Sequence, residues 1–85
     1  MDTESTHSFW MKDMLISLDL IFIDSRGYIV DIFDYQKPCE EDYCPSIQSP
    51  YASKYVLEVR DGFAEINRVE VGNAVIFNIS SEDNI

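Results

Sequence analysis

The chain has 85 residues, 46% of them hydrophobic and 13% aromatic, enough apolar side chain for one packed domain and too much for a disordered polymer. Sixteen acidic residues against six lysines and arginines give a net charge of −10, which argues against nucleic acid and anionic membrane surfaces as partners, because both are bound by clustered cations. The longest apolar stretch, Leu20–Ile23, falls far short of the roughly 20 residues that a membrane-spanning helix needs.

Residues 1–7 are polar and expected to fray. Met1-Asp2-Thr3-Glu4 lacks the basic and apolar regions of a secretory signal. Phe9-Trp10-Met11 is a short apolar strand candidate. Leu18-Asp19-Leu20-Ile21-Phe22-Ile23 is apolar apart from Asp19, the pattern of a central strand buried on both faces. Asp24-Ser25-Arg26-Gly27 reads as a turn, and Tyr28–Phe33, rich in β-branched and aromatic residues, as the returning strand of a β-hairpin. Residues 34–54 read as a long connection that holds Pro38, Pro45 and Pro50, both cysteines and the acidic run Glu40-Glu41-Asp42; connections of this length in small domains are commonly functional. Tyr55-Val56-Leu57-Glu58-Val59 predicts a strand with Tyr55, Leu57 and Val59 on one face and Val56 and Glu58 on the other. Asp61 is placed to cap a short helix over Gly62–Val69, with Phe63 and Ile66 on its buried stripe. Gly72-Asn73 then turns the chain into a last strand, Ala74–Ile79, before a polar tail.

The order is β-β-β-loop-β-α-β. Strand dominance and short connections predict a mainly β fold, a small antiparallel sandwich or partly open barrel with one short helix. The whole chain, 1–85, reads as one domain with its core over about residues 6–79.

Two ordered blocks carry a resemblance. The first is Phe9-Trp10-Met11-Lys12, Leu18-Asp19, Ile21-Phe22-Ile23-Asp24, Gly27 and Val30; the second is Pro38-Cys39, Cys44-Pro45-Ser46, Tyr55-Val56-Leu57-Glu58-Val59, Gly62-Phe63-Ala64 and Val71-Gly72. From about Thr6 to Phe77 the chain resembles the DUF192 family, also called UPF0127, an uncharacterised group of small bacterial and archaeal proteins. The resemblance implies a compact, mostly β, sandwich-like domain, and an extracellular or periplasmic setting, since many members look exported. It implies no activity. Two departures stand out. Members usually carry a further segment ahead of the Trp-Met-Lys element, and the residue after that Lys is usually Asn where this chain has Asp13. A sheet left open for want of that segment would drive association, so a homo-oligomer through an uncovered sheet edge is expected.

Several residues are candidates for chemistry. Cys39 and Cys44 are spaced C-x4-C, which admits a small disulfide loop, a pair of inert thiols, a metal site completed by carboxylates, or a redox pair without thioredoxin-like spacing. The family's frequent export favours the disulfide. Lys12, Asp19 and Glu58 sit in or beside apolar strands, where an unpaired charge is costly. They are expected either to meet as a charged cluster beside Trp10, able to bind a small polar ligand or a sugar, or to be structural and solvated charges. Glu40, Glu41 and Asp42, with Asp31 and Asp34, offer hard oxygens for Ca²⁺ but lack EF-hand spacing, and read as a solvated loop. There is no nucleophile-elbow motif, no glycine-rich phosphate loop and no cofactor signature. The only histidine, His7, lies in the polar N-terminal stretch. Asn78-Ile79-Ser80 matches a glycosylation sequon, a weak signal. The leading reading is a non-enzymatic accessory domain that binds a small polar ligand or a protein partner through Trp10–Lys12 and the 34–54 loop. The alternatives are a small enzyme using Lys12 with Asp19 or Glu58, and a metal-handling protein using the cysteines and acidic loop.

Overall fold

A computed structural model describes residues 5–6 and 8–76. Its elements are β1 (Ser8–Phe9), β2 (Leu18–Ile23), β3 (Ile29–Gln36), β4 (Ile47–Gln48), β5 (Tyr55–Arg60) and the single-turn helix α1 (Phe63–Ile66). The protein is mainly β, with two antiparallel sheets that do not close into a barrel. One sheet has the order β3-β2-β5 and the other pairs β1 with β4.

The central strand is β2, and every one of its six residues is buried. Its alternation splits the core into two layers. Leu18, Leu20 and Phe22 join Met11 on one face, with Phe9, Phe33, Ile47 and Val56 packed against them. Ile21, Ile23 and Ile29 form the other layer, against Ile32, Val59, Val69 and Val75. Each fully buried aliphatic or aromatic side chain contributes about 1.5–3 kcal/mol. The Phe22 and Phe33 rings meet edge to face at 5.7 Å, the arrangement that ring quadrupoles favour.

The hairpin forms where the sequence places it. The Asp24 carboxylate accepts the N–H groups of Arg26 (3.0 Å) and Tyr28 (2.9 Å), and the Gly27 N–H donates to the Asp24 carbonyl. Gly27 has φ +90°, and a Cβ there would lie 3.0 Å from the Val75 carbonyl oxygen, so both the turn and the close approach of the 75 segment require glycine.

Four expectations need correction. The returning strand runs to Gln36 rather than ending at Phe33. It does so through a bulge, because Leu18 faces Gln36 while Leu20 faces Phe33, which leaves one extra residue on β3. The 34–54 connection contains β4, too short to show a period. The helix is one turn, Phe63–Ile66, and not Gly62–Val69. Arg68 adopts φ +54°, Val69 N–H donates to Ala64 O and Arg68 N–H to Glu65 O, a Schellman closure that ends the helix. Its buried residue is Ala64, whereas Phe63 and Ile66 are exposed. The expected last strand is an isolated bridge from Ala74 to Tyr28 within the described residues. Val75 and Ile76 are not in a strand, and residues 77–79 of the expected strand lie outside the described residues, as do His7 and the sequon.

Candidate functional site

Asp19 is fully buried, and three main-chain donors explain how a carboxylate survives there. Its Oδ1 accepts the N–H of Tyr35 at 2.9 Å and of Gly62 at 3.3 Å, and its Oδ2 accepts the N–H of Ala64 at 2.9 Å. Tyr35 sits at the β3 bulge with φ +54°, so Asp19 takes up a donor that the ladder does not. Gly62 and Ala64 open α1, where N–H groups lack intrahelical partners. Asp19 thus does the capping work that the sequence assigned to Asp61, and it does so from across the sheet.

The expected cluster of Lys12, Asp19 and Glu58 does not form. Asp19 faces Val59 in the register and Glu58 faces Leu20; directly opposed residues share a face, so the two carboxylates point to opposite sides of the sheet. The Lys12 ammonium donates to the Glu41 carbonyl oxygen at 3.0 Å. Among the described residues the sole ion pair joins Arg26 and Asp24, at 3.8 Å.

What the sequence places beside Trp10 is different. Ser8, Trp10 and Lys12 alternate with Phe9 and Met11, and the latter two enter the core. Trp10 is 55% exposed. A groove of about 500 Å³ runs past Ser8, Phe9, Trp10, Lys12, Met14 and Ser46. Its frame is the pairing of β1 with β4 (Ser8 opposite Gln48, Phe9 opposite Ile47). Cys39 N–H donates to Met11 O at 3.0 Å, Asp13 N–H to Cys39 O at 3.4 Å, and Met14 N–H to Met11 O at 3.3 Å. Asp13 itself has φ +63°, a conformation that Asn and Asp tolerate alike, so Asp at this position keeps the turn that an Asn would make.

Cys39 and Cys44 form a disulfide with Cα atoms 6.0 Å apart. Cys44 is buried, and the short loop it closes carries Glu41, whose carbonyl receives Lys12. The disulfide therefore holds one anchor of the groove. Glu40, Glu41 and Asp42 are exposed. Asp31 accepts the Ser49 hydroxyl at 2.7 Å and the N–H of Ile32 at 3.0 Å. Among the described residues no group of three or more His, Cys, Asp or Glu side chains is placed to hold a metal ion, and no helix is long and apolar enough to cross a membrane.

Two features escaped the sequence. The Tyr35 hydroxyl donates to Glu65 Oε1 at 2.5 Å; this bond, with desolvation and the charges of Glu65, Asp19 and Asp34, pushes the phenol up to about 12. Ser49, fully buried, links Asp31 to the N–H of Tyr51 at 3.2 Å. No pattern announces either one, since both join residues from separate elements.

A search of curated proteins finds no match. Among solved structures, the fold is similar to a protein of unknown function from Novosphingobium aromaticivorans DSM 12444, with a TM-score of 0.77 and 24% identity over 87% of this chain. The chain spans about half (51%) of that protein's length. The family model described as DUF192, Uncharacterized ACR, matches residues 1–77, and the chain therefore belongs to the DUF192 family.

Proposed function

We propose that this chain is a non-enzymatic binding domain whose ligand surface is the Trp10 groove, and that the ligand is a neutral sugar or similar small polyol. One observation carries the reading: the half-exposed Trp10 lines one groove together with Ser8, Ser46 and Lys12. An aromatic face accepts the C–H face of a pyranose, and a few convergent polar groups fix its hydroxyls. The net charge of −10 disfavours an anionic ligand, so Lys12 serves as a hydrogen-bond donor. Nucleic acid is not a partner in this reading, and the chain associates with a second copy through its open sheet edge.

The alternatives have less support. An enzyme built on Lys12 needs a carboxylate beside it, and Lys12 instead holds a main-chain carbonyl. A metal-handling role needs thiolates, and both sulfurs are held in the disulfide.

Trp10 is the single tryptophan, so its emission reports the groove directly. Titration of the oxidised protein with maltose, cellobiose and chitobiose is expected to shift or quench that emission saturably with at least one sugar. Lys12→Met, which keeps the indole, should weaken the response. No saturable change with any of the three would overturn the sugar reading.

A further inference from the structure

The two edges of the three-stranded sheet differ. The start of β3 is covered: Ile29 N–H donates to Asn73 O, Gly72 N–H to Ile29 O, and Tyr28 bridges Ala74. The strand is also bulged at two places, and covering and bulging are the usual defences of an edge. Among the described residues the other edge, β5, has neither along Val56–Arg60; the Ser5–Ser53 pairing lies ahead of the strand. Its register against β2 is regular from Tyr55 to Arg60, and no strand among the described residues lies on its outer side.

The hydrogen-bond pattern says which groups that edge presents. Asp61 N–H donates to Ser17 O, which makes Arg60 and Leu18 a pair that does not exchange hydrogen bonds. In an antiparallel ladder such pairs alternate with bonded ones. The N–H and C=O groups of Val56, Glu58 and Arg60 therefore point away from β2. Glu58 and Arg60 are exposed, share a face, and form no ion pair among the described residues.

We infer that β5 pairs antiparallel with β5 of a second copy, in the register that sets Val59 opposite Val59 and Glu58 opposite Arg60. Charge selects this register among the neighbouring ones. Centring the two-fold axis on Glu58 opposes Glu58 to itself. Centring it on Leu57 opposes Lys54 to Arg60. Centring it on Val59 gives two Glu–Arg pairs related by the axis on one face of the sheet, each exchanging main-chain hydrogen bonds, with the two valines opposed on the other face. The result is a continuous sheet, β3-β2-β5-β5-β2-β3. This inference rests on the self-association proposed above and specifies its geometry.

Sedimentation velocity of the oxidised full chain from micromolar to submillimolar concentration is the test. The wild type is expected to form a dimer. Glu58→Arg and Arg60→Glu should each weaken it by about tenfold, and an equimolar mixture of the two variants should restore it, since each supplies the charge that the other lacks. Val59→Cys should cross-link on oxidation, its Cα atoms falling at the spacing a disulfide needs, while Leu57→Cys, which faces Asp61 in this register, should not. A wild type that stays monomeric overturns both self-association and register. A dimer that survives both charge reversals, or that cross-links through Leu57→Cys, overturns the register alone.

Discussion

Asp19 and Lys12 are both charged residues set next to apolar runs, and the fold treats them in opposite ways. Asp19 lies within β2, where alternation drives it inward, and three main-chain N–H groups converge on it from β3 and the start of α1. Lys12 lies on the outward side of an alternating segment and reaches over a disulfide loop to one carbonyl. The difference is one of position relative to the core. A charge that faces inward must be consumed by the backbone around it, and it becomes structural. A charge that faces outward beside an exposed tryptophan stays at the surface, held by a single carbonyl.

The largest expected effect lies at the inward site. Asp19→Ala removes the acceptor of three buried donors and should cost about 3 kcal/mol or more in urea unfolding, while Asp19→Asn, which keeps one acceptor oxygen, should cost less. A loss below about 1 kcal/mol for Asp19→Ala would break the contrast. At the outward site the corresponding test is the disulfide. Replacing Cys39 and Cys44 by Ser should cost about 2 kcal/mol and shift Trp10 emission, because the loop that anchors Lys12 is freed. Trp10→Ala should change stability by less than about 1 kcal/mol and yet abolish sugar binding read by titration calorimetry.

The contrast was only half visible in the sequence. The apolar run of β2 and the Asp24–Gly27 turn announce the hairpin through purely local signals, and the structure forms both. The destination of Asp19 was hidden because its donors lie 16, 43 and 45 residues away, and a buried carboxylate looks the same whether backbone or ligand satisfies it. The alternation of Ser8, Trp10 and Lys12 against Phe9 and Met11 was present, but Phe9-Trp10-Met11 reads as one apolar block unless its length is set aside. The helix was overestimated because Phe63 and Ile66 carry helical spacing while Arg68, at positive φ, stops the turn. That position ignores side-chain pattern, and no residue type there marks it.

Two smaller effects sharpen the comparison. Tyr35 lies beside Asp19, and its phenol is held neutral up to about 12 chiefly by its hydrogen bond to Glu65. Its folded pKa lies above the ordinary 10.0, so its contribution to stability is complete below pH 10 and is lost as pH rises toward 12. Tyr35→Phe should abolish that dependence, and spectrophotometric titration of tyrosinate should lose its most alkaline step. Arg68→Gly relieves a left-handed residue at the end of α1 and should stabilise by about 0.5–1 kcal/mol in thermal unfolding.

The reach of the Asp19 carboxylate has a bearing on how the protein is born. Two of its three partners, Gly62 and Ala64, are synthesised more than forty residues after it. Until the ribosome has released that later stretch, the middle strand cannot be enclosed without stranding an anion in the dark of the core. A nascent chain stalled short of that point holds a hairpin and no finished body, so enclosure of the middle strand waits for the stretch that carries Gly62 and Ala64.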